Sequence, residues 1–550
     1  MSRPSTLLFW RDLILRPIGF TLVFFTLCPF GCTCDQKGES RRRSKPPVVV
    51  IDPDEVDQPR PVAEKEPNDS PKQAQDLSRD TRVEGKMGFT EGVKGDRDWY
   101  RVKVGEEKQI LKAALSGVTG LDLILEAWNS KRERLVRVNN SKEGEGEVLV
   151  NLAVDKGTYY LLVREAKGRF AEGSYSLSTS LRAQEEGEER EPNYKASLAT
   201  PMTLDKESVG YLGWHTDTDW FRLELPVLTP AARLRVEYDG LDDVRANLSI
   251  RNAAGLILQE RWGGPGEGIA LPNMALAERG QPLYVVLRCK NHFNVESRYA
   301  LRAVSAVPMG FAEAEPNDAP VNATPIVLGK SFSGILADTQ DRDVFSVKLS
   351  QAAMIRVHVT PPLGLDVALA MLSDDGEVIW EVDEGGERGA EMLPVLWARP
   401  PRALFQVRAP RQQSVSSVSP YHLTVEMLGD TNWEHEPNNI MAKASPWSND
   451  LIPMKGFIYP RNDVDFYRVS SRSEHLRLIV DAVPGLKLRL QLFDLSGTSV
   501  AISGPPVAQG EGTIRLEATV QAGREYVLQV SDTAGGANGR AEYHLRRENP

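Results

Sequence analysis

The residues in this chain whose types and spacing could do chemistry are acidic, and they come in four matching sets. The phrase Glu-x-Glu-Pro-Asn occurs at Glu64–Asn68, Glu189–Asn193, Glu313–Asn317 and Glu434–Asn438. An Asp-x-Asp pair follows each copy: Asp96 and Asp98, Asp217 and Asp219, Asp341 and Asp343, Asp463 and Asp465. The candidate ligands are Glu64, Glu66, Asn68, Asp69, Asp96 and Asp98 in the first set. They are Glu189, Glu191, Asn193, Asp217 and Asp219 in the second, and Glu313, Glu315, Asn317, Asp318, Asp341 and Asp343 in the third. The fourth offers Glu434, Glu436, Asn438, Asp463 and Asp465. All present oxygen, and calcium takes six to eight oxygen ligands from carboxylates and amides. Alternate residues of an extended chain point the same way. Glu64, Glu66 and Asn68 can therefore face one point, with Pro67 stiffening the segment, and the Asp pair can supply the rest. Without a cation these carboxylates would repel one another. A plainer reading stays open: the phrase is a turn whose Asn bonds its own backbone, and the Asp pair caps another turn.

The sets are not identical. Asp69 and Asp318 follow the Asn in the first and third, whereas Tyr194 and Asn439 stand there in the second and fourth. The first and third sites are expected to be the tighter ones.

No other constellation reads as reactive. The seven histidines are scattered, His435-Glu436 runs into Pro437, and no HExxH, GxSxG or P-loop occurs. The chain therefore reads as non-catalytic. Trp214 and Trp262 read as core or loop anchors ahead of sugar platforms. Cys289 reads as a lone thiol, with no disulfide framework for the folded body. A net charge of −10 and a pI near 5.5 argue against a nucleic-acid partner and suit a protein that uses carboxylates for cations.

The second Glu of each phrase stands at 66, 191, 315 and 436, steps of 125, 124 and 121 residues. Such steps are the size of whole domains. After each Asp pair comes an alternating run such as Trp99–Val104 or Trp220–Leu225, a period-two pattern that predicts a half-buried strand. Gly-Leu turns at Gly120, Gly240, Gly364 and Gly485 lead to further strands. Each repeat closes on Tyr-x-Leu: Tyr175/Leu177, Tyr299/Leu301, Tyr421/Leu423 and Tyr543/Leu545. Convincing amphipathic helices are absent. The predicted fold is all-β: four tandem, jelly-roll-like β-sandwich domains of about seven or eight strands. They are placed at 63–183, 188–304, 312–427 and 433–548.

Together, Glu-Pro-Asn-Asp, the Gly-Asp-x-Asp-Trp-Tyr of Gly95–Tyr100, the Gly-x-Asp-x-x-Leu turn, Gly157–Tyr160 and the closing Tyr-x-Leu resemble the bacterial pre-peptidase C-terminal (PPC) domain. That domain is similar to the collagen-binding domains of clostridial collagenases. The resemblance covers about Ala63–Glu548. It implies a sandwich fold in each repeat and calcium at the acidic phrases. It departs from the family's usual setting, since no peptidase domain precedes the repeats in this sequence.

The N-terminus carries Arg3, Arg11 and Arg16 and then the apolar run Pro17–Gly31. This is the form of a secretory signal, short for a transmembrane helix. Cys32 after Gly31 resembles the lipidated Cys of bacterial lipoproteins, although Pro29 stands where that family prefers Leu. Thr33 leans towards the outer membrane. A secreted protein and a retained membrane anchor are the alternatives. Asp35–Val62, rich in Pro and charge, reads as a disordered tether in which only Val48–Ile51 could form a strand. The expected function is a monomeric, lipid-anchored cell-envelope array of four calcium-stabilised domains that binds or spaces an envelope protein or polysaccharide. The alternatives are an adhesin for carbohydrate or matrix protein and an accessory subunit of a secreted peptidase.

Overall fold

The computed structural model describes residues 61–548, apart from 79, 89–94, 226–230, 277–280, 291, 363, 411–418, 430–431, 448–450 and 505–511. The signal segment, Cys32, the strand expected at Val48–Ile51 and nearly all of the tether lie outside the described residues. The described part belongs to one compact unit. It is all-β, with no α-helix among the described residues and with eight sheets.

The first repeat shows how the phrases are placed. Its strands are β1 (Val62–Ala63), β2 (Gln75–Leu77), β3 (Arg82–Lys86), β4 (Arg97–Val104), β5 (Gln109–Leu115), β6 (Leu123–Asn129), β7 (Arg134–Val138), β8 (Glu147–Val154), β9 (Gly157–Glu165) and β10 (Ser174–Ala183). One sheet runs in the order β1-β3-β10-β5-β8 and the other β2-β4-β9-β6-β7. β1 pairs parallel with β3 and β2 with β4; the remaining neighbours are antiparallel. Val62, assigned to the tether from sequence, pairs with Val83. The acidic phrase lies between β1 and β2, so it passes from one sheet to the other. The Asp pair lies at the start of β4.

Both sheets send side chains into one core, Val83, Leu111 and Leu177 from the first and Tyr100, Leu125 and Leu161 from the second. The third repeat keeps the same strand order, the second and fourth keep it with a single bridge in place of β1, and each repeat has its own core. The outer face of β4 is less polar than its alternation suggests. Trp99 is buried there, 5.6 Å from Trp128 and 6.3 Å from Tyr160 between ring centres. Cys289 is a free, buried thiol, as expected. Trp214 packs against the first repeat's core.

The expectation of four sandwiches holds in part. Each copy supplies two sheets around one core, but consecutive copies are not separate. The last sheet strand of one repeat bonds directly to the acidic phrase of the next: the Ala153 amide donates to the Glu191 carbonyl (3.0 Å), Ala275 to Glu315 (2.8 Å) and Trp397 to Glu436 (3.4 Å). The result is a continuous, solenoid-like run of sheets.

Leu161 is fully buried on the central strand of its sheet. Leu161→Ala should destabilise the chain by about 2–5 kcal/mol, read as a lower urea midpoint at unchanged slope; no shift would contradict the assigned core.

Candidate metal centres

Each acidic phrase crosses between sheets through a cis Glu-Pro peptide, at Pro67, Pro192, Pro316 and Pro437. Backbone bonds pin it to the strand that carries the Asp pair: the Trp99 amide donates to the Asn68 carbonyl (3.0 Å), Trp220 to Asn193 (3.0 Å) and Val344 to Asn317 (3.1 Å). The first Glu, the second Glu and the second Asp then converge. Glu64, Glu66 and Asp98 bring one oxygen each within 4.8 Å of one another, as do Glu189, Glu191 and Asp219, Glu313, Glu315 and Asp343, and Glu434, Glu436 and Asp465.

Protein donors hold these groups at their outer oxygens. A backbone amide at or just past a strand end donates to the first Glu in every copy: Lys86 to Glu64 (2.9 Å), Tyr211 to Glu189 (2.5 Å), Ile335 to Glu313 (2.7 Å) and Phe457 to Glu434 (2.7 Å). The backbone N–H of the phrase's Asn donates to the second Glu at 2.9, 3.0, 3.0 and 2.6 Å in chain order. The tyrosine of the closing Tyr-x-Leu donates to the second Asp: Tyr175 to Asp98 (2.5 Å), Tyr299 to Asp219 (2.7 Å), Tyr421 to Asp343 (2.5 Å) and Tyr543 to Asp465 (2.5 Å).

The inner oxygens are left without a donor. Asn68 Oδ1 and Asp98 Oδ1 are buried and accept no hydrogen bond from the described residues. The same holds for Glu315 Oε1, Asn317 Oδ1 and Asp343 Oδ1, and for Glu436 Oε1, Asn438 Oδ1 and Asp465 Oδ1. In the second repeat the Asn193 amide can take either orientation. With its nitrogen inward it donates to Asp219 (3.2 Å) and Glu191 (3.1 Å); with its oxygen inward it matches the other three copies. Buried oxygens facing one another without a donor are costly. Two ionised carboxylates about 4 Å apart oppose each other by about 4 kcal/mol at an effective dielectric near 20.

Two remedies exist, protons or a cation. Burial pushes Asp98 and Glu315 up to about 10, Glu434 to about 8, and Glu189, Glu313 and Asp463 to about 7. It also raises Glu191, Asp219, Asp343, Glu436 and Asp465 well above the carboxylate range, with neighbouring carboxylates adding to the effect. A cation fits the donor set as well. Only hard oxygens are offered, and bonds of about 2.3–2.6 Å place oxygens on opposite sides of a calcium ion about 5 Å apart.

The remaining candidates have other partners. The first Asp of each pair turns to backbone amides: Asp96 to Gly88 and Arg97, Asp217 to Gly213 (2.7 Å), Asp341 to Ala337 (2.5 Å) and Asp463 to Tyr459 (2.8 Å). Asp69 is half-buried and Asp318 exposed at the rim; Tyr194 there is exposed too, and Asn439 donates to Asp463 (2.6 Å). What separates the copies more sharply is enclosure. Glu66 is exposed, whereas both glutamates are buried in the other three copies.

In sequence the tyrosines marked only the closing strand of each repeat, and their place at the site was missed together with four glycines. A Cβ on Gly85, Gly210, Gly334 or Gly456 would fall 2.2–2.4 Å from the hydroxyl of the site tyrosine. The signal was available: a buried tyrosine hydroxyl needs a partner, and each glycine recurs at one place in its repeat. A fifth cluster, Asp366, Asp383 and Glu391, was also missed. Its Glu391 accepts the Glu384 amide (3.0 Å) and the Tyr459 hydroxyl (3.2 Å).

No protein-family model matches this chain, and no curated protein matches it. Among solved structures, a pre-peptidase C-terminal domain of collagenase from Bacillus anthracis is similar at 14% identity and a TM-score of 0.15, covering 20% of this chain and 94% of its own. The BSP domain of a biofilm associated protein is similar at 9% identity and a TM-score of 0.14, covering 84% of this chain and 96% of its own. At such scores the functional reading rests on the residues of this chain.

The raised carboxyls set a pH dependence. Unfolded, they lose their protons near pH 4; folded, Glu189 and Glu313 hold theirs to about 7 and Asp98 to about 10. The folded state binds more protons in this window, so stability falls as pH rises. In chelator, Tm should fall by several degrees between about pH 5 and pH 8, and calcium should abolish the fall. A flat or rising Tm in chelator would contradict the assigned burial.

Proposed function

We propose that this chain is a non-catalytic envelope protein whose four β-units hold calcium at the Glu-x-Glu-Pro-Asn phrases and form a binding or spacer array. The supporting observation is the pair of inward-facing Asn and Asp oxygens that no protein donor satisfies in the first, third and fourth copies, joined by a Glu oxygen in the third and fourth. In each copy tyrosine and backbone donors fix the outer oxygens, so the inner ones are preorganised for a small hard cation. Extracellular calcium modules bind at about 10⁻⁴–10⁻³ M, the range of free calcium outside a cell. That setting agrees with the N-terminal signal pattern and with lipidation at Cys32, after which the Pro-rich segment would act as a spacer. Units repeated along one chain suit a repetitive partner, an envelope protein or polysaccharide, through avidity.

Calorimetric titration of the full chain tests this reading. Calcium should bind with one equivalent per phrase, release protons at neutral pH and raise Tm, whereas magnesium, which prefers a smaller octahedral shell, should do so weakly. Asp98→Asn, Asp219→Asn, Asp343→Asn and Asp465→Asn should each remove one equivalent. Absence of binding heat and of a Tm shift at about 5 mM calcium, well above the expected dissociation constants, would overturn the proposal.

A further inference from the structure

The strand before each inner joint carries a device that its own repeat does not need. β8 pairs with β5 through a bulge between Leu111 and Ala113, and the side chain it re-aims is Asn151. The second repeat has the same bulge between Leu234 and Val236, with Asn273 at the matching position. Bulges commonly redirect one side chain out of the ladder. Here the redirected amide crosses into the next repeat: Asn151 Nδ2 donates to Glu189 Oε1, and Asn273 Nδ2 to Glu313 Oε1 at 2.8 Å. Glu315 also exchanges backbone bonds with this strand, its amide donating to the Asn273 carbonyl (3.0 Å). A cleft of about 250 Å³ leads to the third centre between the repeats, walled by Gln259 and Glu260 on one side and Glu315, Asp338 and Asp341 on the other.

The third repeat repeats the bulge, between Ile355 and Val357, but Val395 occupies the Asn position. Val395 is buried among Met354, Trp433 and Phe457. Trp433 stacks on Phe457 with ring centres 5.5 Å apart, and Trp397 stacks on His435 at 4.5 Å. At the Asn position this joint is apolar where the other two are polar, and elsewhere across it the Tyr459 hydroxyl donates to Glu391 (3.2 Å) and Arg461 pairs with Glu384 (3.1 Å). In the fourth repeat, after which this sequence has no further copy of the phrase, the matching strand Thr513–Thr519 pairs in unbroken register. At the three joints present, the residue carried by the bulge differs with the contact made, Asn at the first two and Val at the third.

We infer that the second and third centres are completed by the preceding repeat, with Asn151 and Asn273 as cross-joint positioning residues, so that filling these centres stiffens the first–second and second–third joints while the third–fourth joint stays rigid without a cation. The inference rests on the proposed calcium binding. An inward cation fixes the first Glu against its Asn. Without one, that Glu loses the inner partner that holds it against the joint, and the Asn bond is left to hold it across the repeats.

Full-length chain with pairs of spin labels across each joint tests it in calcium and in chelator. Chelator should broaden the distance distributions across the first two joints and leave the third unchanged; this comparison needs no substitution in a site. Asn273→Val, which copies the residue already found at 395, should weaken calcium at the third centre by about tenfold, as loss of a ligand's outer partner commonly does, and should broaden the second joint even in calcium. Asn151→Val should do the same for the second centre and first joint. Calcium binding with Asn→Val affinities and all three joints unchanged would overturn the coupling while leaving the proposed calcium sites intact. No calcium binding at all would remove both.

Discussion

Inward-facing acceptor oxygens, buried without donors, are the constraint on which the rest of this structure depends. The fold brings three carboxylates and an amide together where two sheets meet, gives both oxygens of the first Glu a donor, and in the first, third and fourth copies leaves one oxygen of the Asn and of the second Asp without one. Such an arrangement is stable only if the centre is protonated or filled by a cation. Neighbouring parts follow from that choice. The tyrosine closing each repeat must reach the second Asp, and the glycine beside it must lack a Cβ to let the hydroxyl through. The backbone amide after that glycine must point at the first Glu. One centre thus ties the first strand, the phrase, the Asp strand and the closing strand of each repeat.

The same centre sits where one repeat meets the next, and this relates local chemistry to the behaviour of the whole array. A string of domains on loose linkers would let each unit fold and bind alone. Here the backbone of one repeat bonds to the phrase of the next, so the state of a centre is felt at a joint. The third joint shows the alternative, an aromatic and aliphatic contact built on Val395, Trp433 and Phe457. The bulge residue thus differs among the joints, an Asn bonded to the next centre at two of them and an apolar Val at the third.

Much of this was legible in the sequence. The repeat period, the all-β pattern and the acidic positions are local signals, carried by spacing and alternation. The convergence of Glu64, Glu66 and Asp98 was also legible, because alternate residues of an extended segment share a face. Other features depend on distant pairing. Nothing near Tyr175 in sequence shows that its hydroxyl lies on Asp98, 77 residues away. The ranking of sites by Asp69 and Asp318 used the residue after the Asn, whereas the enclosed centres are those that follow another repeat, which meets them with Asn151, Asn273 or Val395. Those two asparagines sit in strands whose apolar neighbours mask them, and only the register shift at the bulge reveals where they point. The separateness of the domains was overread for the same reason: periodicity gives the unit but not the bonds between units.

The central claim is most directly tested by anomalous diffraction from crystals grown with calcium. The account predicts a peak enclosed by Glu315 Oε1, Asn317 Oδ1 and Asp343 Oδ1, with equivalents in the other repeats and the Asn193 oxygen turned inward. Ordered density with no peak there, and with Asn193 donating its amide nitrogen to Asp219 and Glu191, would show centres closed by protons and would contradict it.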